Sequence, residues 1–117
     1  MIDDDAELVE LLSFSLRRAG FGVAMAVDGI DGLQKARSLR PDLVLLDLML
    51  PQVDGFAVCE ILRRDPTTRS TPIIIVSAMS SQLSRLTGLE CGANEYITKP
   101  FSLGSLVARI ETVVPNV

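Results

Sequence analysis

A chain of 117 residues, 48% of them hydrophobic and with a mean hydropathy of +0.36, has room for one domain and carries too much apolar surface to stay disordered. Apolar runs such as residues 43–46 and 73–76 fall far short of the roughly 18 residues of a membrane span, and acidic residues begin at Asp3 where a leader would be basic, so the expected location is cytoplasmic. A net charge of −4, with no basic run longer than Arg17-Arg18 or Arg63-Arg64, argues against direct contact with a nucleic-acid backbone, and the lack of histidine removes imidazole catalysis and His-metal ligation.

Residues 6–19 place Leu8, Leu11, Leu12, Ser15, Leu16 and Ala19 on one helical face, and Gly20 supplies a stop. Residues 22–27 read as a short strand, after which Asp28 can cap a second helix that runs to about Leu39 and ends before Pro41. Residues 43–47 form a continuous apolar run closed by an acid, the pattern of a parallel strand covered on both faces. A loop with Pro51 and Asp54-Gly55 leads into a third helix over 55–64, with Phe56, Val58, Cys59 and Leu62 as its apolar set and Pro66 beyond its end. Residues 72–77 repeat the strand pattern and end in a hydroxyl, a helix over 81–90 stops at Gly92, and 95–98 is a fifth strand. The last helix, 102–114, repeats Leu103, Leu106, Val107, Ile110, Val113 and Val114 at helical spacing and is closed by Pro115. Cys59 and Cys91 lie too far apart for a metal-type pair and read as small buried hydrophobes.

Alternating strands and helices predict an α/β fold, a parallel sheet with helices on both faces. Only Met1 and Ile2 precede the acidic cluster, whereas a central strand has about five residues, so the first strand is expected to be truncated.

In such sheets the ligand site lies beyond the carboxyl ends of the strands. The residues found there are Asp3-Asp4-Asp5, Asp47, Ser77-Ala78 and Lys99-Pro100. Carboxylates held together repel, which a divalent cation relieves, and a donor set of oxygens alone suits Mg2+. A carboxylate can also be the nucleophile of a phosphoryl transfer, with Mg2+, the Ser77 hydroxyl and the Lys99 ammonium meeting the phosphoryl oxygens. Each residue alone has a plainer reading: Asp5 as a helix cap, Ser77 as a strand-end hydroxyl bonded to backbone, Lys99 as a solvated lysine, Tyr96 as packing. For Asp3, Asp4, Ser77 and Lys99 the shared rim favours the site.

Asp3-Asp4, Asp47-Leu-Met-Leu-Pro-Gln-Val-Asp-Gly55, Ser77-Ala78 and Tyr96-Ile-Thr-Lys99-Pro100-Phe101 resemble, in order and spacing, the signature of response-regulator receiver domains, over essentially the whole chain. The resemblance implies a three-layer flavodoxin-like (βα)5 fold with a five-stranded parallel sheet in the order 2-1-3-4-5, residues 1–117 forming one receiver domain. It implies that Asp47 accepts a phosphoryl group from a histidine kinase or phosphotransfer protein, and that Asp4 and Asp47 hold Mg2+ with the backbone carbonyl of Met49. Asp3 would then act largely through metal-bound water. Ser77 and Lys99 would bind phosphoryl oxygens, Tyr96 would change rotamer as Ser77 moves, and the Lys99-Pro100 bond would be cis. Output would come from a changed surface on the fourth helix, fifth strand and fifth helix. Arg85, Glu90, Glu95 and Arg109 stand on that face, with Gly104 and Ser105 where charge is usual, and a homodimer through it stays open.

Such a domain is not an enzyme toward external substrates; it promotes only its own phosphoryl transfer and loss. Met49 and Met79 are apolar where the family tunes phosphoryl lifetime, so self-dephosphorylation is expected to be slow. Two alternatives remain at this stage. An aspartate-nucleophile phosphohydrolase would resemble Asp-x-Asp, but Met49 occupies its second position. A phosphorylation-silent interaction module would keep the fold without the chemistry.

Overall fold

The computed structural model describes residues 1–50 and 53–114; the loop residue Pro51 and the helix-closing Pro115 of the sequence reading lie outside them. Among the described residues five helices and three strands follow one another in the order α1 (Ala6–Arg18), α2 (Gly29–Leu39), β1 (Val44–Leu46), α3 (Gly55–Arg64), β2 (Ile73–Ser77), α4 (Gln82–Glu90), β3 (Glu95–Thr98) and α5 (Leu103–Val113). Every helix starts behind a residue whose side-chain oxygen takes up one of the otherwise unpaired N–H groups of the first turn. Asp5 accepts from Leu8, Asp28 from Asp31, Asp54 from Phe56, Ser81 from Ser84 and Ser102 from Ser105. The caps fix where each strand-end loop hands over to a helix. At the far end of α1, Gly20 adopts φ +100°, the left-handed stop that the sequence predicts there.

β1 pairs with β2 and β2 with β3, all in parallel, with Leu46 opposite Ile75 and Ser77 opposite Thr98. Beyond β1 the sheet continues through Ile2, which bridges Leu46 on one side and Ala26 on the other, again in parallel. The chain segments therefore cross the sheet in the expected 2-1-3-4-5 order, but only three of the five form ladders. Residues 22–27 and residues 1–2 contribute a single bridged position each, which corrects the expectation of a strand over 22–27. The cause is the length of the central segment. Its whole pairing consists of Ile2 N–H to the Leu45 carbonyl (2.8 Å), Asp47 N–H to the Ile2 carbonyl (2.9 Å), Ala26 N–H to the Met1 carbonyl (2.9 Å), Asp3 N–H to the Ala26 carbonyl (3.0 Å) and the Met1 amine to the Ala24 carbonyl (2.7 Å). Among the described residues no backbone group pairs with residues 22–23, and the Val23 carbonyl accepts from Arg17 Nη2 at 3.0 Å instead.

Successive strand side chains point to opposite faces, and each face is covered. Val44, Leu46, Ile73 and Ile75 join Ile2, Ala36, Val58 and Leu62 beneath α2 and α3, while Leu45, Ile74, Val76 and Ile97 join Leu12, Leu16, Leu106 and Ile110 beneath α1 and α5. Burial on both sides explains why β1 and β2 are apolar at nearly every position rather than at alternate ones. Cys59 is buried in the first cluster, where burial pushes its thiol up to about 11, and Cys91 is half-buried; both are free thiols.

One glycine sets the approach of α3 to the end of β1. A Cβ on Gly55 would lie 2.4 Å from Leu48 Cα and 2.6 Å from the Asp47 carbonyl oxygen, and both neighbours are backbone. The Gly55 N–H also donates to the Leu48 carbonyl at 3.1 Å. Gly55→Ala is expected to cost about 1 to 3 kcal/mol, the range for an added methyl in a packed site. Urea denaturation should show a lowered midpoint; an unchanged midpoint would mean that the loop after Asp47 can move away freely.

Candidate functional site

Parallel strands bring all their carboxyl ends to one rim, and the structure places the predicted residues there. Asp3 follows the bridged Ile2, Asp47 follows β1, Ser77 ends β2 and Lys99 follows β3. Carboxylate oxygens of Asp3, Asp4 and Asp47 lie within 4.8 Å of one another. Lys99 Nζ sits 2.8 Å from Asp3 Oδ2 and 3.4 Å from Asp47 Oδ2, so one ammonium serves two acids. The remaining oxygens are met by backbone: Asp3 Oδ1 accepts from the Asp5 N–H at 3.0 Å and Asp47 Oδ1 from the Met49 N–H at 3.2 Å.

Exposure separates the three acids. Asp3 and Asp47 are 1% and 6% exposed, whereas Asp4 faces solvent. Burial raises the Asp47 carboxyl above its ordinary range, and the nearby charge of Asp3 adds to the effect. The Met49 N–H and Lys99 pull the other way without cancelling it. For Lys99 burial works to lower the pKa, but the hydrogen bond to Asp3 and the charges of Asp3 and Asp47 outweigh it, and the ammonium is held above its usual value. One cation thus stands against three carboxylates, all of them oxygen donors and one of them open to water. That donor set fits a hard divalent cation that keeps part of its water shell.

Ser77 is fully buried, and its Oγ accepts from the Met79 N–H at 3.1 Å, the backbone bond of the plainer reading. Tyr96 is also buried, and its hydroxyl donates to the Met79 carbonyl. One residue, Met79, therefore touches through its backbone N–H and its carbonyl both residues that the sequence singled out as a coupled pair. Arg85 completes the surroundings of Tyr96: its guanidinium carbon lies 5.3 Å from the ring centroid, and Nη2 donates to Thr98 Oγ1 at 2.6 Å. Gly88 lets α4 approach, since a Cβ there would meet Ile75 Cδ1 at 2.8 Å and Tyr96 Cδ2 at 3.1 Å.

Other readings are settled residue by residue. Asp5 caps α1, as its plainer reading holds. The Lys99-Pro100 peptide is cis. Met49 exposes 60% of its surface, while the half-buried Met79 packs on the core beneath α2 and α3. Sequence reasoning did not find Thr98 or the Met79 carbonyl. Thr98 carries a weak signal, a hydroxyl beside the site lysine; a backbone carbonyl carries none.

The raised Asp47 pKa has a consequence for stability. The folded chain binds this proton more readily than the unfolded one, so the associated stability is present at low pH and lost as pH rises through the folded value. With divalent cations chelated, Asp47→Asn is expected to remove that part of the pH dependence and to stabilise the chain at neutral pH by on the order of 1 kcal/mol. Denaturation curves across the carboxylate range test this; a variant no more stable than the parent at neutral pH would show that Lys99 already offsets the buried charge.

The sequence model of the response regulator receiver domain family matches residues 1–111. The DNA-binding dual master transcriptional regulator RpaA of Synechocystis is 44% identical over 114 residues, covering 97% of this chain and 47% of that protein. The DNA-binding response regulator MtrA of Mycobacterium tuberculosis is 47% identical over 110 residues, 94% of this chain and 47% of its own length. The chain thus spans about half the length of these curated relatives. Among solved structures, the BeF3-activated N-terminal receiver domain of Klebsiella pneumoniae RstA superposes with a TM-score of 0.89 at 30% identity, covering 98% of this chain and 96% of that one. Sequence, fold and the placement of acids and lysine on one rim agree: the chain belongs to the response regulator receiver domain family.

Proposed function

We propose that residues 1–117 act as one receiver domain in which Asp47 accepts a phosphoryl group from a histidine kinase or a histidine phosphotransfer protein. The observation that carries this reading is the pairing of a nearly buried, charge-crowded Asp47 with the Lys99 ammonium at the carboxyl rim of the sheet. A carboxylate oxygen of Asp47 attacks phosphorus, an acyl phosphate bond forms, and the phosphorus–nitrogen bond to the donor imidazole breaks. Lys99, already on Asp47 Oδ2, pairs with a phosphoryl oxygen, and Ser77 donates to another.

Asp3, Asp4 and Asp47, with the backbone carbonyl of Met49, would hold Mg2+, Asp3 largely through water. When bound, the ion would offset the charge of the carboxylates and of the phosphoryl oxygens. Movement of Ser77 toward a phosphoryl oxygen disturbs its bond from the Met79 N–H, and the carbonyl of the same residue holds Tyr96. That route leads to the face made by α4, β3 and α5, a population shift biased by the phosphoryl contacts.

The same face suits a homodimer of the phosphorylated chain. Leu83, Leu86 and Leu89 are exposed on α4, and Glu95 pairs with Arg109 at 2.8 Å across β3 and α5. DNA binding, named for RpaA and MtrA, is a property of proteins about twice as long. The net charge of −4 supports assigning no nucleic-acid contact to this domain. No described helix is long and apolar enough to cross a membrane, in keeping with a cytoplasmic switch. The domain promotes only its own phosphoryl transfer and loss. Met49, apolar where an aspartate-nucleophile phosphohydrolase would carry its second acid, argues against turnover of external esters.

With Mg2+ and a small phosphodonor the chain should gain one base-labile phosphoryl group, as read by mass spectrometry. Asp47→Asn should abolish the gain and Lys99→Met should slow it at least roughly tenfold, about one charge-assisted hydrogen bond. Phosphorylation of Asp47→Asn at the parental level would overturn the assignment, and failure to bind Mg2+ on titration would favour a phosphorylation-silent module. Because neither Met49 nor Met79 can orient an attacking water, the phosphoryl group should persist for minutes or longer. Decay within seconds would contradict that step.

A further inference from the structure

Few side chains of α4 hold it to the sheet. Its one buried residue, Gly88, has no side chain to pack, and Leu83, Leu86 and Leu89 are exposed. The hydroxyls of Ser84 and Thr87 bond to Ser81 and to the Leu83 carbonyl, within the helix and its cap. Among the described residues Arg85 is the α4 side chain that hydrogen-bonds to β3. Its Nη2 donates to Thr98 Oγ1 at 2.6 Å and its Nη1 to the Tyr96 carbonyl at 3.4 Å, while the guanidinium carbon stands 5.3 Å from the centre of the Tyr96 ring. No carboxylate pairs with Arg85 among the described residues, so its planar fork is given over to this one strand.

Both anchor points adjoin the site. Tyr96 and Thr98, two residues apart, present their side chains to the same face of β3. Thr98 lies opposite Ser77 in the ladder and precedes Lys99, whose N–H donates to the Ser77 carbonyl at 2.8 Å. The Tyr96 hydroxyl is tied to the Met79 carbonyl in the loop after β2, and the guanidinium covers its ring.

We propose that Arg85 is a positioning residue of the switch, the side chain through which the place of Tyr96 is passed to α4. The role rests on the phosphoacceptor reading of Asp47 and adds to it the group that carries the change outward. When Ser77 is drawn to a phosphoryl oxygen and Tyr96 shifts with it, the guanidinium loses the ring it covers and α4 loses part of its hold on β3. Without Arg85, Tyr96 would still follow Ser77, but no α4 side chain would grip it by a hydrogen bond or by its charge. Coupling of this kind is reciprocal, so Arg85 also holds Tyr96 in its buried position before any phosphoryl group arrives.

The chain has one tyrosine and no tryptophan, so its intrinsic emission reports Tyr96 alone. In the absence of phosphodonor, Arg85→Ala should raise acrylamide quenching of that emission about twofold or more, the shift in population that loss of an exposed cation–π contact allows. Should that variant fail to fold, Thr98→Val, which removes the acceptor of Nη2 and leaves Arg85 in place, carries the same test. With Mg2+ and acetyl phosphate, hydrogen exchange over residues 82–90 should change in the parent. In Arg85→Ala the gain of a phosphoryl group at Asp47 should be kept and that change in exchange lost. An equal change in the variant, no change in the phosphorylated parent, loss of phosphoryl gain in the variant, or unchanged quenching would each overturn the role of Arg85. Failure of the parent to gain a phosphoryl group would instead overturn the phosphoacceptor reading, and the quenching, measured without donor, would still decide whether Arg85 holds Tyr96.

Discussion

Asp3 and Asp47 are both held almost out of water around the single ammonium of Lys99, and the rest of the site depends on that contact. Charges are costly to bury, and an arrangement with more negative than positive groups is costlier still. It persists because backbone geometry imposes it. Asp3 is fixed by the bridges of Ile2 to two neighbouring segments, Asp47 by its own N–H on Ile2 and by the close seat of Gly55 against Leu48, and Lys99 by the register of β3 on β2. The sheet holds acids and ammonium together whatever their mutual energy, leaving a negative excess that a cation would relieve.

Most of this arrangement is legible in the sequence because it rests on local signals that agree with one another. The helix over 55–64 has the bounds of α3, and Asp28 caps α2 as its position before an apolar-periodic run implies. The apolar runs of β1 and β2 announce strands covered on both faces. The strand reading of residues 22–27 fails for a reason that no local pattern contains. Val23, Met25 and Val27 alternate as a strand should, but a ladder needs a paired neighbour, and among the described residues only Met1 and Ile2 lie beside this segment.

The site divides the same way. Acids, hydroxyl and lysine at strand ends can be read once the sheet is inferred, because their chemistry lies in the side chain. What joins Ser77 to Tyr96 is the backbone of Met79, its N–H on one side and its carbonyl on the other, and backbone groups leave no mark in a sequence. Arg85 was legible only as part of a charged face; its contacts with the Tyr96 ring and with Thr98 depend on how closely Gly88 lets α4 approach.

The direction in which the site can transmit a change follows from how unequally the helices are anchored. α1 buries Val9, Leu12, Ser13 and Leu16, whereas α4 buries Gly88 alone and leaves Leu83, Leu86 and Leu89 exposed. Elements with few buried contacts lie at the low-stability end of a fold and move first. α4 is also the helix that follows the Ser77–Met79 loop and whose Arg85 rests on Tyr96. A phosphoryl group on Asp47 that drew Ser77 toward it would therefore act on the most weakly held helix through contacts already in place. α1 also starts at this rim, through the Asp5 N–H on Asp3 Oδ1, but its four buried side chains anchor it against such a shift.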